Sequence, residues 1–411
     1  MNIFQSADIL LPKNADLEKW AVIACDQFTS DMDYWRRVRA FAGQEPSMIH
    51  MILPEAELED HGPESIARIN DNMIRYLNEE LFRMYPHSYI YVERTLENGM
   101  IRPGLIGKVD LEAYDYRPGS VSPVRATERT VLERIPPRKM VRKDAALEFP
   151  HVLMLCDDDR LELIEPVAAR KDQLPMVYDF DLMEEGGHIT GWLVSGADAQ
   201  AFDDAFTAYS ETYREKYADL SGESVLLAVG DGNHSLATAK SCYEDLKAVD
   251  PAADLSDHPA RYALVELENI HDPSQVFEPI HRILTEVDVR KLMADLATIC
   301  ADEGHLVTCV IGEEKKDLYL DRKLGELAVA VLQEFLDRWL AENPGKIDYI
   351  HGEEEIQRLA SEENAVGFLL LPMAKHSLFR GVIAGGVLPR KTFSMGHARE
   401  KRYYLEGRKI K

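Results

Sequence analysis

Four side chains able to do acid–base or phosphate chemistry fall within five residues: Asp231, Asn233, His234 and Ser235, set around Gly230 and Gly232. They offer a carboxylate, an amide, an imidazole and a hydroxyl. The surrounding stretch, residues 225–240, reads VLLAVGDGNHSLATAK. Residues 225–229 form a continuous apolar run, long enough for one buried strand. Gly230 to Asn233 are residue types that tolerate positive φ, which predicts a tight turn. From His234 onward the alanine content and apolar spacing predict a helix. A helix that begins at a glycine turn presents unpaired N–H groups and the positive end of its dipole, which suits an anion such as phosphate. Strand–turn–helix junctions of this composition also occur without any chemistry. A histidine in the turn favours a site, because it has little packing reason to be there.

The elements that must position this turn alternate along the chain. Residues 20–25 read as a buried strand ending in a loop and a helix at 31–42. Residues 48–53 read as a further strand, and the apolar spacing at 63–84 predicts a helix. Strands at 87–93 and 101–110 join through Glu97-Asn98-Gly99 as a hairpin. Residues 120–150 read as irregular apart from one helix near 127–134. Strands follow at 152–156, 176–179 and 189–194, then a helix at 198–218. Beyond the turn come a strand at 261–267, helices at 288–302 and 324–342 around a strand pair at 305–320, and strands at 366–372 and 380–388. Hairpins beside helix crossovers predict an α+β fold with a mixed sheet flanked by helices. Its two regions are 1–218 and 219–411, the second carrying the turn, within one interleaved architecture.

The chain has 411 residues and a net charge of -25. An acidic balance of that size argues against a nucleic-acid partner. No apolar run approaches a membrane span, and the N-terminus has no signal-peptide pattern. Five scattered cysteines with no C-x-x-C indicate neither a disulfide framework nor a zinc site. The expectation is a cytoplasmic protein with reduced thiols. Two basic islands interrupt the acidity: residues 125–143 at net +5 and residues 390–411 at net +6. On charge alone the second reads as solvated surface with acidic partners brought in by folding. The first reads equally as a phosphate-binding segment, because arginine is the preferred bidentate phosphate ligand.

Five short stretches in order resemble the family known as domain of unknown function 1015. Its Asp-Gly-His-His-Arg signature resembles Asp231-Gly232-Asn233-His234-Ser235. A strand running into Tyr-Asp resembles Ile23-Ala24-Cys25-Asp26, and a Thr/Glu/Arg-rich segment resembles Arg125-Ala126-Thr127-Glu128-Arg129. Two further matches are Glu278-Pro279-Ile280-His281-Arg282 and Pro389-Arg390-Lys391-Thr392. The signature departs at Asn233 and Ser235, which stand where His and Arg are expected, so the cation it normally supplies must come from elsewhere. Arg125, Arg129, Arg282 and Lys391 are the candidates. The turn is also similar to the phosphate-binding turn of the ParB/sulfiredoxin-like fold, whose members include free-serine kinases. That resemblance implies a ParB/sulfiredoxin-like core and nucleotide-dependent phosphoryl transfer to a small hydroxylated metabolite such as serine.

Such a kinase needs a phosphate cradle, a divalent cation, a base and cations on the transferring group. Gly230, Gly232, Asn233 and Ser235 would form the cradle for ATP or ADP. Asp231 would hold Mg2+, with water filling most of its shell. His234 would contact phosphate or donate to the leaving oxygen, and Asp26 or Glu128 would be the base. The bland alternatives are that Asp26 caps helix 31–42 and that Glu128 pairs with Arg125 or Arg129. Two other functions stay open. One is a non-catalytic phosphate- or nucleotide-binding regulatory protein. The other is a dinucleotide-binding oxidoreductase, since Gly230-x-Gly232-x-x-Ser235 with Asp250 partly matches the Rossmann fingerprint.

Overall fold

The computed structural model describes residues 3–58, 62–220, 223–389 and 391–411. Arg390, part of the second basic island, lies outside them. Its centre is an eleven-stranded mixed sheet. The strand order is Met176–Asp181, His188–Val194, Phe82–Thr95, Ile101–Asp110, Tyr262–Asn269, Val152–Cys156, Leu227–Asp231, Val124–Ala126 and Tyr114–Asp115. Phe4–Gln5 and Ala7–Pro12 attach at the side. Hairpin neighbours pair antiparallel. Tyr262–Asn269 runs parallel to Val152–Cys156, and Leu227–Asp231 runs parallel to Val124–Ala126. Val152–Cys156 reads as a continuous apolar run because both faces are covered, as expected of a buried strand with a parallel partner, whereas Tyr262–Asn269 carries the buried Glu266 and Glu268.

A second, antiparallel sheet of five strands is built wholly from residues 281–370. Leu155 and Ala228 of the large sheet share one apolar core with Leu284, Leu332 and Phe368 of this second unit. The expected mixed sheet with helices is therefore present.

Several elements differ from expectation. Residues 48–53 hold only a 3-10 turn, Met48–His50, and no strand. The helix expected over 63–84 stops at Asn78, and Phe82 already begins a strand. The helix expected near 127–134 lies at Ile135–Arg142, with two prolines in its first turn, where the missing N–H costs nothing. Residues 380–388 were expected as a strand, but His376–Gly385 is a helix. Its apolar residues Leu378, Phe379, Val382 and Ile383 are buried at helical spacing, which overrides their local β preference.

The C-terminal basic segment is woven into the molecule rather than laid on its surface. Phe393–Met395 pairs with Phe277–Pro279, Tyr403–Tyr404 with Val22–Ile23, and Arg408–Lys409 with Leu147–Glu148. Arg402 is 2% exposed and meets Glu266 and Glu406; Arg408 meets Glu148. The acidic partners exist, but they are buried, so the expectation of a solvated tail is corrected.

Candidate functional site

Strand Leu227–Asp231 carries the turn to the end of the sheet. Its pairing with Val152–Cys156 slips between Val229 and Asp231. Gly230 sits at that slip with room for nothing larger: a Cβ there would lie 2.9 Å from Leu155 Cδ1 and from Met395 Sδ. Gly232 follows in the left-handed region at φ 81°, and helix Asn233–Val249 starts after it. Gly232 is the helix cap, and no side chain caps the first turn. The leading N–H groups therefore face outward from the turn, as the sequence implied.

They face a cavity of about 880 Å³. Of the residues singled out from sequence, its wall includes Gly230, Asp231, Gly232, Asn233, His234, Asp26, Glu128, Arg129 and Lys391. Three others stand elsewhere. Ser235 is one helical step beyond His234 and lines a different cavity. Arg125 is buried and donates to the carbonyls of Ser122 and Glu223 at 2.8 and 2.6 Å. Arg282 is buried, donates to Gln333 Oε1 at 3.1 Å and to the Ile280 carbonyl, and lies over the Tyr349 ring. Both arginines join segments of the fold and neither lines the cavity.

Each acidic group has a defined partner. Asp231 accepts its own turn's Gly232 N–H at 3.0 Å and pairs with Lys401 Nζ at 3.2 Å. Asp26 does not cap the following helix; Asp31 does, accepting from Tyr34 N at 2.9 Å. Instead Asp26 lies 3.1 Å from His151 Nε2, and Gln27 donates to it at 3.0 Å. His151 Nδ1 meets the Tyr404 hydroxyl at 2.6 Å, which donates to Cys25 Sγ at 3.2 Å. Burial opposes charge on both members of the pair, but their mutual attraction wins: Asp26 is held below the usual carboxylate range and His151 well above the usual imidazole range. The result is a carboxylate–imidazolium–hydroxyl–thiol chain, buried at His151 and Tyr404 and partly exposed at Asp26 and Cys25.

Glu128 accepts the Lys391 N–H at 3.1 Å, and burial pushes its carboxyl up against the pull of Lys391. His234 Nε2 accepts from the Val131 N–H at 3.1 Å, so the remaining proton sits on Nδ1. Burial, with Arg138 and Arg134 nearby, pushes His234 down to about 4. It is a neutral donor at neutral pH.

Sequence reasoning passed over Lys401, His151, Tyr404, Arg134 and Arg138. Arg138 pairs with Glu55 on the cavity wall. Among the described residues, Arg129, Arg134 and Lys391 line the cavity with no acidic side chain in ion-pair contact. Arg134 and Arg138 were visible in the first basic island. His151 and Tyr404 carried no local signal, since they meet only when distant segments pair. Among the described residues no group of three His, Cys, Asp or Glu side chains is arranged to hold a metal, and no helix is long and apolar enough to cross a membrane. All five cysteines are free.

Solved structures with similar chain paths include SbnI with a C-terminal truncation, from Staphylococcus aureus, at 12% identity and a TM-score of 0.35, covering 71% of this chain and 83% of that one. A free serine kinase in complex with AMP matches at 11% identity and a TM-score of 0.37, covering 72% of this chain and 93% of that one. A conserved hypothetical protein from Pyrococcus furiosus matches at 12% identity and a TM-score of 0.33, covering 72% and 90%. No curated protein matches. The family described as Protein of unknown function (DUF1015) matches residues 8–370, and the chain belongs to that family.

Proposed function

We propose that the cavity binds a nucleotide, ATP or ADP, through its phosphates and transfers a phosphoryl group to a small hydroxylated metabolite such as serine. The observation that carries this reading is the uncapped first turn after Gly232, opening on a wall with Arg129, Arg134 and Lys391. Oriented N–H groups and cations with no acidic side chain in ion-pair contact match the charge and geometry of a phosphate chain. The Asn233 Oδ1 atom is buried and unpartnered, ready for a ligand hydroxyl or amine. In this proposal the strand–turn–helix unit is the ParB/sulfiredoxin-like core. Arg125, Arg282 and Ser235 drop from the ligand contacts, and Arg134 joins them.

In the transfer, the acceptor oxygen bonds to the terminal phosphorus as the bond to the bridging oxygen breaks. The hydroxyl proton passes to a carboxylate, and the shortened nucleotide leaves. Glu128 suits the base role better than Asp26, because burial raises its proton affinity while His151 lowers that of Asp26. Asp231 does not fit a cation site as arranged, since Lys401 and the Gly232 N–H occupy its oxygens. That observation favours the second reading, a phosphate- or nucleotide-binding protein without transfer. The dinucleotide reading has no such support.

The test is thermal shift of the full chain with ATP, ADP and NAD, each with and without Mg2+, repeated on Arg129→Ala and Lys391→Ala. The expected result is stabilisation by ATP or ADP that each substitution weakens about tenfold or more, in line with about 1.5–3 kcal/mol for a charged hydrogen bond. Stabilisation by NAD alone, or nucleotide binding that ignores both substitutions, would overturn the assignment. Release of a phosphorylated acceptor separates the transferase from the binding protein.

A further inference from the structure

A second cavity, of about 150 Å³, adjoins the first and is walled largely by apolar side chains, among them Ile52, Leu53, Met73, Ala145, Leu147 and Phe149. Two side chains, Glu55 and Arg138, line both cavities. The two neighbouring helices divide between them in the same way. On Ile135–Arg142, Arg138 faces both spaces, while Val141 and Arg142 face the second. On Asn233–Val249, Asn233 and His234 face the polar cavity, and Ser235 and Thr238 face the apolar one. Where the two spaces meet stand the Glu55–Arg138 pair, which lines both, and the Asp26–His151 contact, with Asp26 on the wall of the first and His151 on the wall of the second.

The charged groups of the second cavity and the Tyr404 hydroxyl already have partners, and Thr238 donates to the His234 carbonyl. Arg142 pairs with Glu148, and Tyr404 bonds Cys25 and His151. An occupant there gains more from burying carbon than from hydrogen bonding. A cavity of about 150 Å³ takes a molecule the size of benzene, so this one has room for about six carbons. Arg138 is held by Glu55 at the boundary, and a phosphate in the polar cavity would compete with Glu55 for it.

Building on the proposed phosphate site, we infer that the two cavities form one composite site, and that the acceptor is an aliphatic hydroxy compound. Its carbon chain occupies the second cavity while its hydroxyl or phosphate end lies in the first. Serine, with one side-chain carbon, would leave the second cavity empty. The phosphomonoester of an aliphatic alcohol is what transfer to such an acceptor would leave, and it spans both spaces.

Calorimetric titration of the full chain with inorganic phosphate and with methyl through hexyl phosphate tests this. Each added methylene contributes about 0.8 kcal/mol when buried, so affinity rises about fourfold per carbon until the cavity is full. Ala145→Leu and Val141→Phe, which fill the second cavity from two sides, keep the affinity for inorganic phosphate and lose the gain with chain length. Inorganic phosphate binding with no gain along the series would overturn the composite site and leave the phosphate site standing. A gain that survives both substitutions would place the chain elsewhere and overturn it too. If no phosphate binds, with or without a chain, both proposals fall.

Discussion

Replacing Gly232 by alanine would place a methyl group 2.9 Å from the His151 ring and 3.1 Å from Val152 Cα, on a backbone at φ 81°. Left-handed strain and the close approach together predict a loss of about 1–3 kcal/mol, read by urea denaturation. The same variant should lose phosphate affinity, because the helix N-terminus must shift. The Asp26–His151 pair sets a pH signature. Asp26 is held below its unfolded value, so its contribution is present above about pH 4 and is lost as pH falls. His151 is held above its unfolded value, so its contribution is full below about pH 6.5 and is lost as pH rises through the folded value. The stability advantage of the parent over His151→Gln should therefore be full near pH 5–6 and shrink on both sides. An advantage that grew steadily into alkali would show that His151 is neutral in the fold. His234 acts in the opposite sense to His151: pushed down to about 4, it costs stability as pH falls from about 6.5. Of these three residues, only Asp26 and His234 were legible from sequence. His151 follows a proline at a strand start, where nothing marks it.

Among the elements, strand Tyr262–Asn269 and the 399–408 segment are joined by buried charge. Arg402 reaches Glu266 at 3.0 Å and also Glu406, while Arg102 reaches Glu268 at 3.0 Å. Glu406 in turn accepts the Tyr178 hydroxyl at 2.5 Å. Burial pushes Glu268 up to about 7 against the pull of Arg102. Arg402→Met would strand two carboxylates in the core and is expected to cost about 3–5 kcal/mol, checked by denaturant midpoint. Thr127 makes a quieter join, donating to the Val229 carbonyl at 2.7 Å beside the turn, while Leu388 N donates to the Thr127 carbonyl at 2.7 Å. Long, strongly patterned elements were legible because a single periodicity decides them, as in the hairpin across Gly99 and the helix Ala197–Lys216. The helix His376–Gly385 was not, because RGVIAGGVL fits either state locally and only packing against Leu327 and Leu388 selects one.

Across the whole molecule, the candidate site is assembled from segments more than three hundred residues apart. Asp26 comes from the N-terminal loop, Glu128 and Arg129 from the end of one strand, Asp231 from the end of another, and Lys391 and Lys401 from the C-terminal segment. The turn alone was legible because its chemistry is contiguous. The counter-charges were not, because sequence shows a basic run but not which acids fold against it. Deleting residues 399–411 removes Lys401 from Asp231, Tyr404 from His151 and Arg408 from Glu148. That deletion should abolish soluble expression or phosphate binding, whereas Lys411→Ala, at an exposed position, should alter neither. The order of assembly has a consequence during synthesis. A ribosome that has made the whole strand–turn–helix unit has made no site, because Lys401 and Tyr404 are still untranslated or inside the exit tunnel. Under the proposed function, phosphate affinity is expected only after those residues emerge, because until then Asp231 stands at the turn without the Lys401 charge that offsets it.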